Sequence, residues 1–142
     1  MFGAPKEQAE DDIHKFENLG TRSFPAELSI SESINFHNGI GPKRKEERLR
    51  FLKNYWAEKV NKLPKIKMNT SLRPEHSCAL ANFLIEGMEP GDMHTKLWDK
   101  YKIYTTPIVH DEFKGLRITP HVYTTLKDLD YFVKAVETIS KG

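Results

Sequence analysis

The chain has 142 residues, with 22 Lys and Arg against 20 Asp and Glu, a formal net charge of +2, 38% hydrophobic residues and one Cys. These values belong to an ordinary globular domain and exclude collagen-like, disordered and disulfide-framed chains. A chain of this length buries roughly two-thirds of its unfolded surface and needs no metal staple to fold. Acidic and basic residues alternate along its length, so no clustered positive charge points to a nucleic acid. The sequence has no run of about eighteen apolar residues, and Met1 to Lys15 has no apolar stretch after a basic start. Neither nucleic acid nor membrane is therefore an expected partner, and the expected location is cytoplasmic. Cys78 has no second Cys with which to close a disulfide or build a zinc site.

Residues 1 to 15 read as a polar lead-in, and the wider stretch from 5 to 18 has only Ile13 and Phe16 as large apolar positions. At Gly20-Thr21-Arg22-Ser23-Phe24-Pro25 the chain changes character, since Pro25 suits the first turn of a helix. Ala26 to His37, with Ile30 and Ile34 four apart, is predicted helical, and Asn38-Gly39-Ile40-Gly41 is predicted to stop it. Pro42 opens a second helix in which Leu49, Leu52, Trp56, Val60 and Leu63 form one apolar stripe, ended by Pro64. Lys43, Arg44, Lys45, Glu46, Glu47, Arg50, Lys53 and Glu58 are assigned to its solvated face, where acids and bases pair at helical spacing.

The period then changes to two. Lys65 to Asn69 and Cys78 to Ile85 are predicted strands, with Cys78 as an inert core thiol. A short helix is predicted over Asp92 to Tyr101, and strands over Ile103 to Val109 and Leu116 to Thr119, with Pro107 marking an edge or an interruption. Thr125 to Asp128 reads as a capping box opening a last helix, whose Leu129, Val133 and Val136 face the core. The resulting fold class is α+β, with helices packed on one side of a small, largely antiparallel sheet.

Three places carry candidate chemistry. Arg117 lies mid-strand on the face opposite Leu116 and Ile118, where its planar fork suits a carboxylate; a surface or ion-paired arginine fits the same position. Gly20, Thr21 and Arg22 precede a helix with the donors a phosphate requires, although the same residues are common turn and capping chemistry. Among the histidines, His14, His37, His76, His94 and His121 make no metal-ligand motif, and His110, in the loop before Phe113-Lys114-Gly115, is retained as a site candidate beside its reading as a surface residue.

With these residues laid out, the sequence resembles, nearly end to end, the carboxyl-terminal part of class V aminotransferase-like enzymes. These are pyridoxal-phosphate proteins of fold type I that include isopenicillin N epimerase-like proteins and cysteine desulfurases. The resemblance rests on Phe16-Glu17-Asn18-Leu19-Gly20-Thr21-Arg22, on Phe83-Leu84-Ile85-Glu86-Gly87 before a helix, and most specifically on Leu116-Arg117-Ile118-Thr119-Pro120-His121-Val122-Tyr123-Thr124-Thr125-Leu126-Lys127-Asp128-Leu129-Asp130. It implies that Arg117 grips a substrate carboxylate and that Gly20, Thr21 and Arg22 contact the phosphate of a pyridoxal 5'-phosphate bound mainly by a partner subunit; His110 remains a substrate-site candidate from its loop position alone. An amino-acid or keto-acid substrate, a homodimer and a large domain of the same enzyme are the implied partners. In such enzymes the Schiff-base lysine lies in that large domain, upstream of the segment matching Phe16 to Arg22, and no lysine here occupies an equivalent context. Residues 16 to 142 thus read as the small domain of a transaminase or epimerase, a fragment inactive alone. Desulfurase chemistry is disfavoured, because the loop where that branch carries its Cys reads Pro107-Ile108-Val109-His110-Asp111. The alternative is a non-catalytic interaction or binding domain that retains the fold.

Overall fold

The computed structural model describes residues 24–142. These fall into two units, one ending at Gly39 and the other spanning Ile40–Gly142. In the first, α1 (Phe24–Ile40) has Pro25 in its opening turn and Glu27 beside the positive end of the helix dipole. Its large apolar residues Phe24, Leu28, Ile30, Ile34 and Phe36 are all more than half exposed. The helix runs through Asn38, Gly39 and Ile40, so the expected four-residue stop contracts to Gly41, whose φ of 88° is a left-handed value that a side chain opposes.

The second unit contains α2 (Pro42–Val60), β1 (Ile66–Met68), a single turn at Pro74–His76, β2 (Ala81–Ile85), α3 (Pro90–Tyr101), β3 (Thr106–Val109), β4 (Lys114–Ile118) and α4 (Leu126–Lys141). The strands form one antiparallel sheet in the order β1, β2, β4, β3. Pro107, which has no N–H to donate, lies on the edge strand β3 as its sequence position suggested. Thr125 caps α4 through the expected reciprocal box: its Oγ1 accepts from the Asp128 N–H at 3.2 Å, while Asp128 Oδ2 accepts from the Thr125 N–H at 2.9 Å.

Strand alternation divides the sheet into two unlike faces. Ala81, Phe83, Ile85, Leu116 and Ile118 are buried and share one face through the pairs Ala81 with Ile118 and Phe83 with Leu116. Against them lie Leu52, Trp56, Ala57 and Val60 of α2, Met93 and Leu97 of α3, and Leu129, Phe132, Ala135 and Val136 of α4. Trp56, Phe83 and Phe132 form a ring triangle with centroid separations of 5.4 to 6.2 Å, tilted or edge to face as aromatic quadrupoles prefer. The α2 stripe is therefore core as expected, although α2 ends at Val60 and Leu63 packs on the core from the turn that follows. Asn82, Arg117 and Thr106 point to the other face.

Two expectations fail. Lys53, assigned to the solvated face of α2, is 1% exposed, and its Nζ donates to Ser77 Oγ at 2.7 Å. Burial holds its pKa below the usual lysine range, with Arg50 adding to the effect. The reason is local: the segment around the Pro74–His76 turn folds over α2, and Arg50 secures it by donating to the carbonyls of Pro74 and Ser77. For the same reason Cys78 is exposed rather than buried, because the ladder begins only at Ala81 and residues 77–80 belong to that covering loop.

Candidate functional site

Arg117 occupies the middle of the sheet's open face. β4 supplies it, and antiparallel pairing sets Asn82 of β2 on one side and Thr106 of β3 on the other. Such directly opposed residues hold their Cβ atoms about 5 Å apart, so the three side chains form a row across the strands. The Arg117 Nη2 donates to Thr106 Oγ1 at 3.4 Å, a long contact, and no carboxylate of the described residues pairs with the guanidinium. A strand-borne arginine that is exposed and lacks an acidic partner is a ready anion ligand.

A shallow cavity of about 280 Å³ adjoins this row, lined by Thr70, Leu80, Ala81, Asn82, Ile108, Phe113 and Arg117. Its wall is largely apolar, from Leu80, Ala81, Ile108 and Phe113, with Thr70, Asn82 and Arg117 as polar members, the usual composition of a site that orients a small ligand by few polar contacts. His110 is not part of this lining but stands next to Phe113. It starts the β3–β4 turn, where its N–H donates to the Phe113 carbonyl at 3.0 Å, and its ring rests 5.5 Å from that of Phe113. Its Nδ1 accepts from the Glu112 N–H at 3.2 Å, which leaves Nε2 as the nitrogen outside the turn. Of the residues singled out from sequence, Arg117 lines the cavity, whereas His110 does not and adjoins it only through its ring contact with Phe113. Gly20, Thr21 and Arg22 lie outside the described residues, as do His14 and the lead-in.

Asn82 went unnoticed in the sequence because a single Asn inside the apolar run Ala79 to Ile85 carries no motif. Only the β2–β4 register aligns it with Arg117. Its side chain is unusually fixed. Asn82 Oδ1 accepts from Asn69 Nδ2 at 2.7 Å, the backbone N–H of Asn82 donates to Thr70 Oγ1 at 2.9 Å, and its carbonyl accepts from the Asn69 N–H at 2.9 Å. Gly115 completes the cradle, since a Cβ there would overlap Asn82 Oδ1 and the Phe83 carbonyl.

No protein-family model matches the chain. It is similar to the isopenicillin N epimerase of Amycolatopsis lactamdurans, with 26% identity over 132 residues covering 92% of this chain and 33% of that protein. The isopenicillin N epimerase of Streptomyces clavuligerus is 25% identical over 129 residues, covering 90% of this chain and 32% of its own. The chain spans about a third of the length of these curated relatives. Among solved structures, the apo cysteine desulfurase from Thermococcus onnurineus NA1 superposes with a TM-score of 0.69 at 21% identity, over 77% of this chain and 29% of that one. An alanine–glyoxylate aminotransferase from Nostoc sp. superposes with a TM-score of 0.63 at 14% identity, over 76% and 29%. The four helices and antiparallel sheet are the α+β small domain found in fold type I pyridoxal-phosphate enzymes.

Arg117 and the cavity beside it offer donors for an anion, whereas no lysine lines the cavity and the buried Lys53 spends its Nζ on Ser77. The expected phosphate contacts belong to the undescribed segment.

Proposed function

We propose that this chain is the carboxyl-terminal portion of a pyridoxal-phosphate-dependent aminotransferase or epimerase acting on an amino acid or its keto acid. The observation that carries the reading is Arg117: an exposed guanidinium without an acidic partner among the described residues, pre-aimed by its strand beside a small, largely apolar cavity. In this role Arg117 binds the substrate α-carboxylate bidentately and thereby fixes which substituent of Cα faces the chemistry. The cofactor, when bound, supplies the electron sink that makes loss of the α-proton feasible. His110 and Phe113 border the side-chain end of the ligand and keep water from one flank. Gly20, Thr21 and Arg22 contribute to the phosphate site of a second subunit in a homodimer. The Schiff-base lysine belongs to a large domain outside these 142 residues, which by themselves are inactive.

The exposed apolar residues of α1 favour a second reading, a non-catalytic domain that retains the fold and uses this helix for association. One measurement tests the division of labour and a second separates the readings. Mixed with equimolar pyridoxal phosphate, the chain alone should show no single lysine fixed by borohydride above the background of its other exposed lysines, and one stoichiometrically fixed lysine would refute the division of labour. In a form that includes the lysine-bearing domain, Arg117→Ala should lower kcat/KM for amino acids by about 100-fold or more, the value of losing charge-assisted hydrogen bonds. An unchanged rate would leave the interaction domain as the surviving reading.

A further inference from the structure

We infer that Asn82 is a second ligand for the anion bound by Arg117, donating from Nδ2 to the same carboxylate; this rests on the reading of Arg117 as a carboxylate site. Asn82 is 7% exposed, and its Nδ2 is buried without a hydrogen-bond partner among the described residues. A buried amide donor left unsatisfied is costly, and native structures retain few of them.

The orientation of this amide follows from its neighbours. Asn69 Nδ2 donates to the Lys114 carbonyl at 2.8 Å, and a carbonyl only accepts, so the nitrogen of Asn69 faces that way. The second hydrogen of the same nitrogen reaches the Asn82 side chain at 2.7 Å, which must therefore present its oxygen. The Asn82 nitrogen is thereby turned away from Asn69, on the face it shares with Arg117 and in the wall of the cavity. The orientation is held, because Gly115 leaves no Cβ to displace Oδ1 and the main chain of Asn82 is bonded to both Thr70 and Asn69.

An incoming carboxylate has about four lone-pair directions. A guanidinium fork takes two and leaves the others for a donor at the side, the position that cross-strand pairing gives Asn82. Thr106 already engages Arg117 from the opposite side, so the row reads Thr106, Arg117, Asn82, with the anion between the last two. Binding would thus give Nδ2 its missing acceptor and Arg117 its missing counter-charge together.

The test is a titration of the ¹⁵N-labelled 142-residue chain with sodium acetate against sodium chloride at equal ionic strength, following the side-chain resonances of Arg117 Nε–H and Asn82 Nδ2–H₂. Both should move with acetate at one common midpoint and remain still with chloride. Movement of Arg117 alone overturns the inference and leaves the carboxylate reading standing; movement of neither overturns both. Asn82→Ala, with the resonances of the Trp56 and Phe83 core unchanged as evidence of an intact fold, should weaken acetate binding about tenfold. Wild-type affinity in that variant would overturn the role of Asn82 while Arg117 still responded.

Discussion

Gly115→Ala tests how tightly the helix-covered sheet and its open face are coupled. An alanine Cβ at this position would fall inside contact distance of Asn82 Oδ1 and of both atoms of the Phe83 carbonyl. The first belongs to a side chain that can rotate only by surrendering its bond from Asn69, and the second is main chain of β2, which can retreat only by opening the β2–β4 ladder. Overpacking of this kind costs about 1–3 kcal/mol, and loss of the Asn69–Asn82 hydrogen bond costs about 1 kcal/mol. Reduced entropy of the unfolded chain returns about 0.5 kcal/mol. The net expectation is a destabilisation of about 1.5–3.5 kcal/mol, which for a chain of this size lowers Tm by about 5–12 °C.

Differential scanning calorimetry would measure it, and the Asn82 side-chain amide resonance should shift in the same variant. Gly87→Ala is the control: its φ of 84° imposes backbone strain, but nothing lies within 4 Å of the added Cβ. That variant should cost about 1 kcal/mol and leave the Asn82 resonance in place. A Gly115→Ala protein with Tm within about 2 °C of wild type and an unmoved Asn82 resonance would refute the reasoning, since the steric argument admits no route that spares both.

Phe132→Ala removes one corner of the aromatic triangle and should lower the unfolding free energy by about 3–5 kcal/mol, read as a reduced urea midpoint at unchanged slope. Thr125→Ala deletes the cap of α4 and should cost about 1 kcal/mol near neutral pH. The Thr125 hydroxyl, and after it the Thr125 backbone N–H, hold the Asp128 carboxyl below its ordinary value of 3.8. Because the folded pKa is depressed, the stabilisation is present above the ordinary carboxylate range and is lost as pH falls through the folded value. The variant should therefore show a shallower acid limb in stability measured against pH. Lys53→Met should be neutral or stabilising near neutral pH, because methionine keeps an apolar stem while removing a charge that burial disfavours. The folded pKa of Lys53 lies below the unfolded one, so wild-type stability should rise with pH between the two as the unfolded state binds the extra proton, and this rise should vanish in the variant. A loss above about 2 kcal/mol in Lys53→Met would show instead that its bond to Ser77 outweighs the burial cost.

The elements with strong periodic signals were legible without coordinates. The α2 stripe through Leu52, Trp56 and Val60, the Thr125 capping box and the edge position of Pro107 follow from spacing, side-chain chemistry and a missing N–H, all of which are local. Arg117 was legible for the same reason, since alternation alone sets it opposite Leu116 and Ile118. Lys53 and Cys78 were misread because each depends on where one loop lies. Helical spacing placed Lys53 on the polar side of α2, and nothing in the sequence stated that the segment around Pro74–His76 would cover it or that the strand would begin at Ala81.

The site divides along the same line. Sequence by itself determined the α+β class, the core stripes and one strand-borne arginine turned away from the core, because these rest on contacts between near neighbours in the chain. Only the tertiary structure decided that Arg117 meets no acidic partner among the described residues, and that Asn82 stands beside it with a donor those residues leave unspent. Those facts depend on strand register and on the absence of a Cβ at Gly115, and register relates residues more than thirty positions apart that no local pattern connects.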